Sequence, residues 1–203
     1  PGYIFNFEGA VRYQWAKEYY PTEYERLKNY IKAGRWNISG SSWDSTDPNI
    51  PSPESFFRNL LYGQEFFKKE FGKKSNDIFL PDCFGFGYTL PTIAAHSGII
   101  GFSTQKLQHR KLPFYGDHKL PFMFGLWEGI DGARIMAVPH AQDYVSRFDG
   151  QELSNNGKLV DLAKNGLNNT VYHYYGAGDR GGSPTIASVR SVETGMKGEG
   201  SVQ

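Results

Sequence analysis

The sequence predicts an α/β protein with a mainly parallel sheet, either open or closed as a barrel. Three observations carry that reading. Apolar runs of strand period alternate with runs of helical period, no hairpin signal joins successive strand candidates, and polar residues recur just past the strands. The chain has 203 residues, short of the ~250 of a typical (β/α) barrel, so a closed barrel here would be an incomplete one.

The elements follow in order. Ile4 to Phe7 is a short apolar strand that stops at Glu8-Gly9, and a core strand so close to Pro1 suggests an excised start. Tyr20-Pro21 opens a helix with Tyr24, Leu27 and Ile31 at i, i+3 and i+7, closed by Gly34. Arg35 to Ile38 is a weak strand candidate. From Gly40 to Pro53 runs a loop rich in Ser, Asp and Pro that carries Trp43, Asp44 and Asp47. Ser52 is then the expected N-cap and Pro53 the first helical residue. Phe56, Phe57, Leu60, Leu61, Phe67 and Phe71 repeat at helical spacing until Gly72.

Asp77 to Leu80 reads as a buried strand, broken by Pro81-Asp82-Cys83-Phe84-Gly85. A helix from about Leu90 to His96 ends at Gly98, and Ile99 to Ser103 forms the next strand, finishing at Gln105-Lys106. Prolines and glycines from Lys111 to Trp127 predict loop, and Arg134 to Val138 a strand. Val145 to Asn169 is polar with a helix near Leu159 to Ala163. Val171 to Tyr175 is the last strand, leading into Gly176-Ala177-Gly178-Asp179-Arg180-Gly181-Gly182, and the tail from Val189 is weakly patterned.

Composition narrows the function. The net charge is 22 − 21 = +1 with no Lys/Arg run, which gives no case for nucleic acid or an anionic membrane. No apolar stretch reaches the roughly 20 residues that span a bilayer, so the chain reads as soluble. Cys83 alone makes no internal disulfide. The histidines at 96, 109, 118, 140 and 173 lack the close spacing of a zinc motif, and the residues by themselves show no complete metal site. G-x-G-x-x-G, the P-loop pattern and G-x-S-x-G are all absent.

In both open and closed parallel sheets, function gathers at the C-terminal ends of the strands. There the chain places Glu8, Asp44 and Asp47, Asp82, Lys106 and Asp179. Aspartate is also an ordinary turn residue, so it is their coincidence on one rim that points to a site. Asp82 stands apart, flanked by Pro81 and by Cys83-Phe84-Gly85. A carboxylate beside an aromatic face suits sugar chemistry, because aromatics stack on pyranose rings and carboxylates act as nucleophile, acid or base in glycoside hydrolysis. Trp36, Trp43, Phe84, Phe86 and Trp127 are the aromatics available for a platform or for the core, with Phe84 favoured for the site.

Leu80-Pro81-Asp82-Cys83-Phe84-Gly85-Phe86, Leu90-Pro91, Ser97-Gly98-Ile99 and Thr104-Gln105-Lys106-Leu107 resemble glycoside hydrolase family 38, the α-mannosidases. So do Gly34-Arg35-Trp36, Pro51-Ser52-Pro53-Glu54-Ser55, Leu61-Tyr62-Gly63-Gln64, Trp127-Glu128-Gly129-Ile130-Asp131-Gly132 and Gly178-Asp179-Arg180-Gly181-Gly182-Ser183-Pro184-Thr185, in the manner of bacterial-type members. The resemblance implies a retaining, zinc-dependent exo-α-mannosidase built on a seven-stranded (β/α) barrel, with residues 1–203 a part of that catalytic domain. It implies that Asp82 is the nucleophile and a zinc ligand, that Phe84 and Lys106 line the sugar site, and that Trp43 and Asp47 belong to the substrate-binding rim. Asp179 lies where the family carries a carboxylate and is the candidate acid/base, although other branches place two adjacent aspartates there and this chain has Asp179-Arg180.

The family's first zinc-ligand segment, His-x-Asp followed by Pro-Gly-Trp, is expected before residue 1 and its further histidine ligand after the last residue. That leaves Asp82 alone of the expected ligand set. The expectations are therefore hydrolysis of an α-mannoside by the intact protein, little zinc retention or activity in the isolated 203 residues, and self-association through exposed sheet edges. A soluble protein of a bacterial cytoplasm or periplasm is the expected setting. A carbohydrate-binding relic without catalysis and a metal-dependent polysaccharide deacetylase are the alternative readings.

Overall fold

In the computed structural model, residues 2–107, 110–112, 116–118, 123–164 and 167–197 are described, without the side chains of 110–112, 116–118 and 167. They form two compact units, a larger one of Ile4–Lys106 with Gly125–Ala137 and a smaller one of Pro1–Tyr3, Leu107–Phe124 and Val138–Gln203.

The larger unit begins with β1 (Phe5–Glu8) and β2 (Trp36–Ser39), paired in parallel with Phe7 opposite Ile38 and Glu8 opposite Ser39. Two helices connect them, α1 (Ala10–Tyr19) and α2 (Pro21–Lys32). Only the second was expected from the sequence. α1 escapes a periodicity search because its apolar residues form no stripe: Ala10 and Tyr13 are buried, whereas Trp15 and Tyr19 face solvent. Pro21, with no backbone donor, ends one helix and starts the next.

α3 (Pro53–Phe71) keeps both expected ends, with Ser52 Oγ accepting from the Ser55 amide at 3.2 Å and Gly72 at φ +70°. Its buried face is narrower than the sequence pattern, since Phe56, Leu60 and Phe67 are inside and Phe57 and Leu61 are exposed. Phe67, Tyr13, Tyr24 and Ile38 form one apolar cluster, with Trp36 packed against it. Within that cluster the Tyr13 hydroxyl donates to the Phe7 carbonyl and accepts from Trp36 Nε1, each at 2.9 Å, so its polar end is satisfied.

A four-stranded sheet in the order β3-β4-β8-β7 completes the unit, from β3 (Asp77–Phe79), β4 (Gly101–Ser103), β7 (Gly125–Glu128) and β8 (Arg134–Val138). β3 and β4 are parallel, with Ile78 opposite Phe102, and α4 (Leu90–His96) crosses between them. β7 and β8 are antiparallel, which corrects two expectations. Gly125–Glu128 is a strand rather than loop, and a hairpin is present, closed by Gly129 N to Ala133 O at 2.8 Å with Gly132 at φ +79°. The five-residue turn is longer than the two-residue signals sought in the sequence. The architecture is therefore mixed α/β, with the parallel pairs β1–β2 and β3–β4 and the antiparallel hairpin β7–β8. Leu60, Ile78, Leu90, Ile99, Phe102 and Ile135 fill its core.

The smaller unit holds an antiparallel pair, β5 (Arg110–Leu112) and β6 (Gly116–His118), inside the stretch expected to be loop. Residues 113–115 and 119–122 of that stretch lie outside the described residues. α5 (Gly157–Lys164) matches the expected helix. Val171–Tyr175, expected as the last strand, lies outside any sheet. Among the described residues it joins no strand ladder, and Tyr174 N donates to Ala141 O at 2.9 Å. The weakly patterned tail is instead α6 (Ile186–Met196), nucleated by Thr185, whose Oγ1 accepts from the Ser188 amide at 3.1 Å; residues 198–203 lie outside the described residues. Among the described residues no helix is long and apolar enough to cross a membrane.

Candidate functional site

The parallel register of β3 and β4 brings Asp82 and Lys106 together. Phe79 pairs with Ser103, and each functional residue stands three positions further on, at the same end of its strand. Leu80 N extends the ladder to Ser103 O at 3.1 Å, and the Lys106 amide is turned by Thr104 Oγ1 at 3.1 Å. The Lys106 ammonium forms an ion pair with Asp82 Oδ1. The same nitrogen stands 4.9 Å from the centroid of the Phe84 ring, within cation–π range. Phe84 is 79% exposed, an open aromatic face beside a carboxylate.

Cys83 ties this segment to the loop after β2. Its thiol donates to the Thr46 carbonyl at 3.2 Å. Burial pushes the thiol up to about 11, with the negative charges of Asp47, Asp82 and Glu8 adding to the effect. It therefore stays a protonated donor at neutral pH.

Glu8 is held at the end of β1 by Ser45 Oγ, 3.0 Å from both carboxylate oxygens, and by Arg12 Nη1 at 3.3 Å. Burial raises its pKa, while Arg12 and Ser45 oppose the shift. Arg12 also donates to Asp44 Oδ1 at 2.9 Å. Gly40 allows this crossing, because a Cβ there would lie 2.7 Å from Glu8 Cβ. Behind the rim, Asp77 accepts from Ser39 Oγ at 2.5 Å and Ser75 Oγ at 2.9 Å, which fastens the end of β2 to the start of β3.

The remaining sequence candidates fall as follows. Asp47 is exposed and its Oδ1 accepts from the Asn49 amide at 2.8 Å, closing a turn. Trp43 packs edge-on against Phe66 with ring centroids 5.9 Å apart, while Trp36, Phe86 and Trp127 pack against the apolar clusters. Of the five aromatics weighed from the sequence, Phe84 is the exposed one. Asp179 belongs to the smaller unit, exposed, with its Oδ1 accepting from the Tyr144 hydroxyl at 2.6 Å. Sequence reasoning missed Tyr144, which stands 35 positions away with no motif around it.

A zinc ion needs several donors at one point. Among the described residues no group of three or more His, Cys, Asp or Glu side chains could hold a metal ion, and Asp82 Oδ1 is already engaged by Lys106. The described side chains thus do not make a zinc site.

Residues 1–203 match the family described as glycosyl hydrolases family 38 N-terminal domain. Alpha-mannosidase G of Dictyostelium discoideum is 42% identical over 196 residues, 95% of this chain and 17% of that protein. Human alpha-mannosidase 2C1 is 35% identical over 189 residues, 91% of this chain and again 17% of the relative. The chain thus spans about a sixth of the length of these relatives. An α-mannosidase from Enterococcus faecalis V583 superposes with a TM-score of 0.72 at 17% identity, over 97% of this chain and 22% of the other, and shares the fold. On the full-length family match and the 42% identity, the chain belongs to glycosyl hydrolase family 38.

Proposed function

We propose that a protein containing this chain hydrolyses terminal α-mannosidic bonds with retention, through a covalent glycosyl-aspartate intermediate. The observation that carries the reading is the Asp82, Lys106 and Phe84 constellation at the paired ends of β3 and β4. Relatives named α-mannosidases favour it over the binding relic and the deacetylase.

In this reading an Asp82 carboxylate oxygen attacks the anomeric carbon as the glycosidic C–O bond breaks, and Asp179 gives its proton to the departing oxygen. Water then attacks the anomeric carbon as its bond to Asp82 breaks, which releases the Asp82 carboxylate, while Asp179 takes a proton from the water. Phe84 offers its open face to the apolar side of the pyranose. Lys106, placed by both Asp82 and the ring, orients the carboxylate and stands ready to donate to a sugar hydroxyl. Asp47, in the loop after β2, is the further substrate-binding residue of this reading, and Trp43 supports that loop through Phe66. The seven-stranded (β/α) barrel of the resemblance is the proposed setting, with residues 1–203 as part of it. Zinc is the cofactor the resemblance implies, yet the described side chains do not build its site, so no step here runs through it.

The test is Asp82→Asn. Turnover of an α-mannoside is expected to fall more than about a thousandfold with mannoside binding retained, and a slow fluorinated mannosyl substrate should label Asp82 in the wild-type protein. Ordinary turnover by the variant, or a label on another residue, would sink the assignment.

A further inference from the structure

The glycine-rich segment that ends in Asp179 is shaped around one tyrosine. A Cβ at position 178 would stand 1.8 Å from Cε2 and 1.9 Å from Cδ2 of Tyr144, so the ring lies directly on the glycine backbone. No side chain fits between them. Asp179 itself has φ +58°, in the left-handed region that non-glycine residues rarely adopt. Its Oδ1 receives the 2.6 Å hydrogen bond from the same tyrosine's hydroxyl.

Backbone bonds on both sides hold Tyr144 in place. Tyr174 N donates to Ala141 O at 2.9 Å before it, and Gly176 N donates to Ser146 O at 3.0 Å after it. Asp143 turns the intervening chain, accepting from Val145 N at 2.8 Å and, through its carbonyl, from Ser146 Oγ at 2.7 Å. The segment after β8 and the glycine-rich segment are thus clipped together, and the tyrosine bridges them from ring to hydroxyl.

We propose that Tyr144 is the positioning residue for Asp179 in glycoside cleavage, a role that rests on Asp179 being the acid/base. With the phenol donating to Oδ1, Oδ2 is the oxygen that hands over the proton. The bond serves both protonation states, because Oδ1 is the carbonyl oxygen when Oδ2 carries hydrogen and a carboxylate oxygen when it does not. In the first step the Oδ2–H bond breaks and a leaving-group O–H bond forms, while the electron pair of the glycosidic C–O bond goes to that oxygen. Water restores the proton in the second step. The phenol moves no proton in either step.

The test compares kcat/KM for a poor leaving group, methyl α-mannoside, and a good one, 2,4-dinitrophenyl α-mannoside, in a full-length protein that contains this chain. Asp179→Ala is expected to lose ~100-fold or more on the methyl glycoside and little on the dinitrophenyl one, which needs no acid. Tyr144→Phe keeps the ring on Gly178 and is expected to lose about tenfold on the methyl glycoside, with less than about twofold on the other. Gly178→Ala, which displaces the ring, should show the same selectivity for the poor leaving group. In the double variant, Tyr144→Phe should add nothing to Asp179→Ala. Equal losses on both substrates for Tyr144→Phe, or a double variant whose loss is the product of the single ones, would overturn the positioning role alone. An Asp179→Ala enzyme with no leaving-group dependence would overturn the acid/base reading, and the positioning role with it.

Discussion

Phe67 in the larger unit is wholly buried among the rings of Tyr13, Phe66 and Phe71, whereas Phe148, buried in the smaller unit, has the rings of His173 and Tyr175 for neighbours. The contrast extends to how each unit holds its candidate carboxylate. Asp82 stands just past a strand whose neighbours are packed apolar side chains. Asp179 is held by a tyrosine hydroxyl beside glycines, in a unit where Phe148 N donates to Ser188 Oγ at 2.9 Å and Ser188 Oγ to Asp149 at 2.5 Å. Buried polar atoms without a partner among the described residues, His140 Nδ1, Gln142 Nε2 and Glu193 Oε1, also fall in the smaller unit. Burial lowers the pKa of His140 and of His173, so both imidazoles favour the neutral form. One unit is held by close-packed apolar surface, the other by polar contacts that water can replace.

The largest effect that would test this contrast is a cavity. Phe67→Ala is expected to cost about 4 kcal/mol of stability, since the packed rings around it cannot collapse into the gap. Phe148→Ala, with fewer ring neighbours, should cost clearly less. Urea unfolding of the two variants measures both, and equal losses would erase the distinction drawn between the units.

A pair of glycine substitutions sharpens it. A Cβ at Gly63 would lie 2.3 Å from the Ser42 carbonyl carbon and 2.4 Å from Ser41 O, so α3 packs straight onto the loop backbone. Backbone cannot step aside, and Gly63→Ala is expected to cost about 3 kcal/mol. The atoms that crowd Gly178 belong to two side chains, Tyr144 and Val145. Gly178→Ala should therefore cost less than about 1 kcal/mol in stability, its effect appearing in catalysis as the tyrosine swings away. Thermal unfolding of both variants checks the pair, and a larger loss at 178 than at 63 would show the smaller unit to be the more rigid.

The same contrast explains what the sequence could and could not disclose. Both ends of α3 were legible because Ser52, Pro53 and Gly72 act on their own helix. The Asp82 and Lys106 pairing was legible in outline, because strand ends are readable and a parallel register needs only two of them. The ion pair itself, and the turn of Lys106 over Phe84, are products of packing. α1 stayed hidden because Trp15 and Tyr19 face solvent where a stripe search expects polar residues. Val171 to Tyr175 misled because β-prone residues there join no ladder among the described residues. Gly178 stands in a legible glycine-rich run, but the ring that lies on it is that of Tyr144, and no local pattern connects Tyr144 with Asp179, 35 positions away.

The smallest expected effect concerns acid. Each unit has an aspartate whose pKa is lowered by hydrogen bonds. Thr92 and His96 hold Asp131 down to about 2 in the larger unit, with distances of 2.7 Å each, and Ser188 and Thr185 lower Asp149 in the smaller. A carboxyl whose folded pKa lies below its unfolded value of about 3.9 contributes stability above that value and loses it as pH falls. For Asp131 the loss runs from about pH 4 down through about 2. Both side chains are exposed, so water and salt reduce either contribution. They differ in what remains once they are protonated. Asp131 fastens α4 to a hairpin whose inner face is already packed, whereas Asp149 holds Ser188 and Thr185, the N-terminal turn of α6. Acid should therefore loosen α6 before it loosens α4. Amide hydrogen exchange followed from pH 5 to pH 2.5, corrected for intrinsic rates, measures the order. Asp149→Asn is expected to bring the loosening of α6 up to neutral pH, and Asp131→Asn to leave α4 nearly as protected as before. Equal loss of protection in the two helices would mean that apolar packing does not separate the units in the way Phe67 and Phe148 suggest.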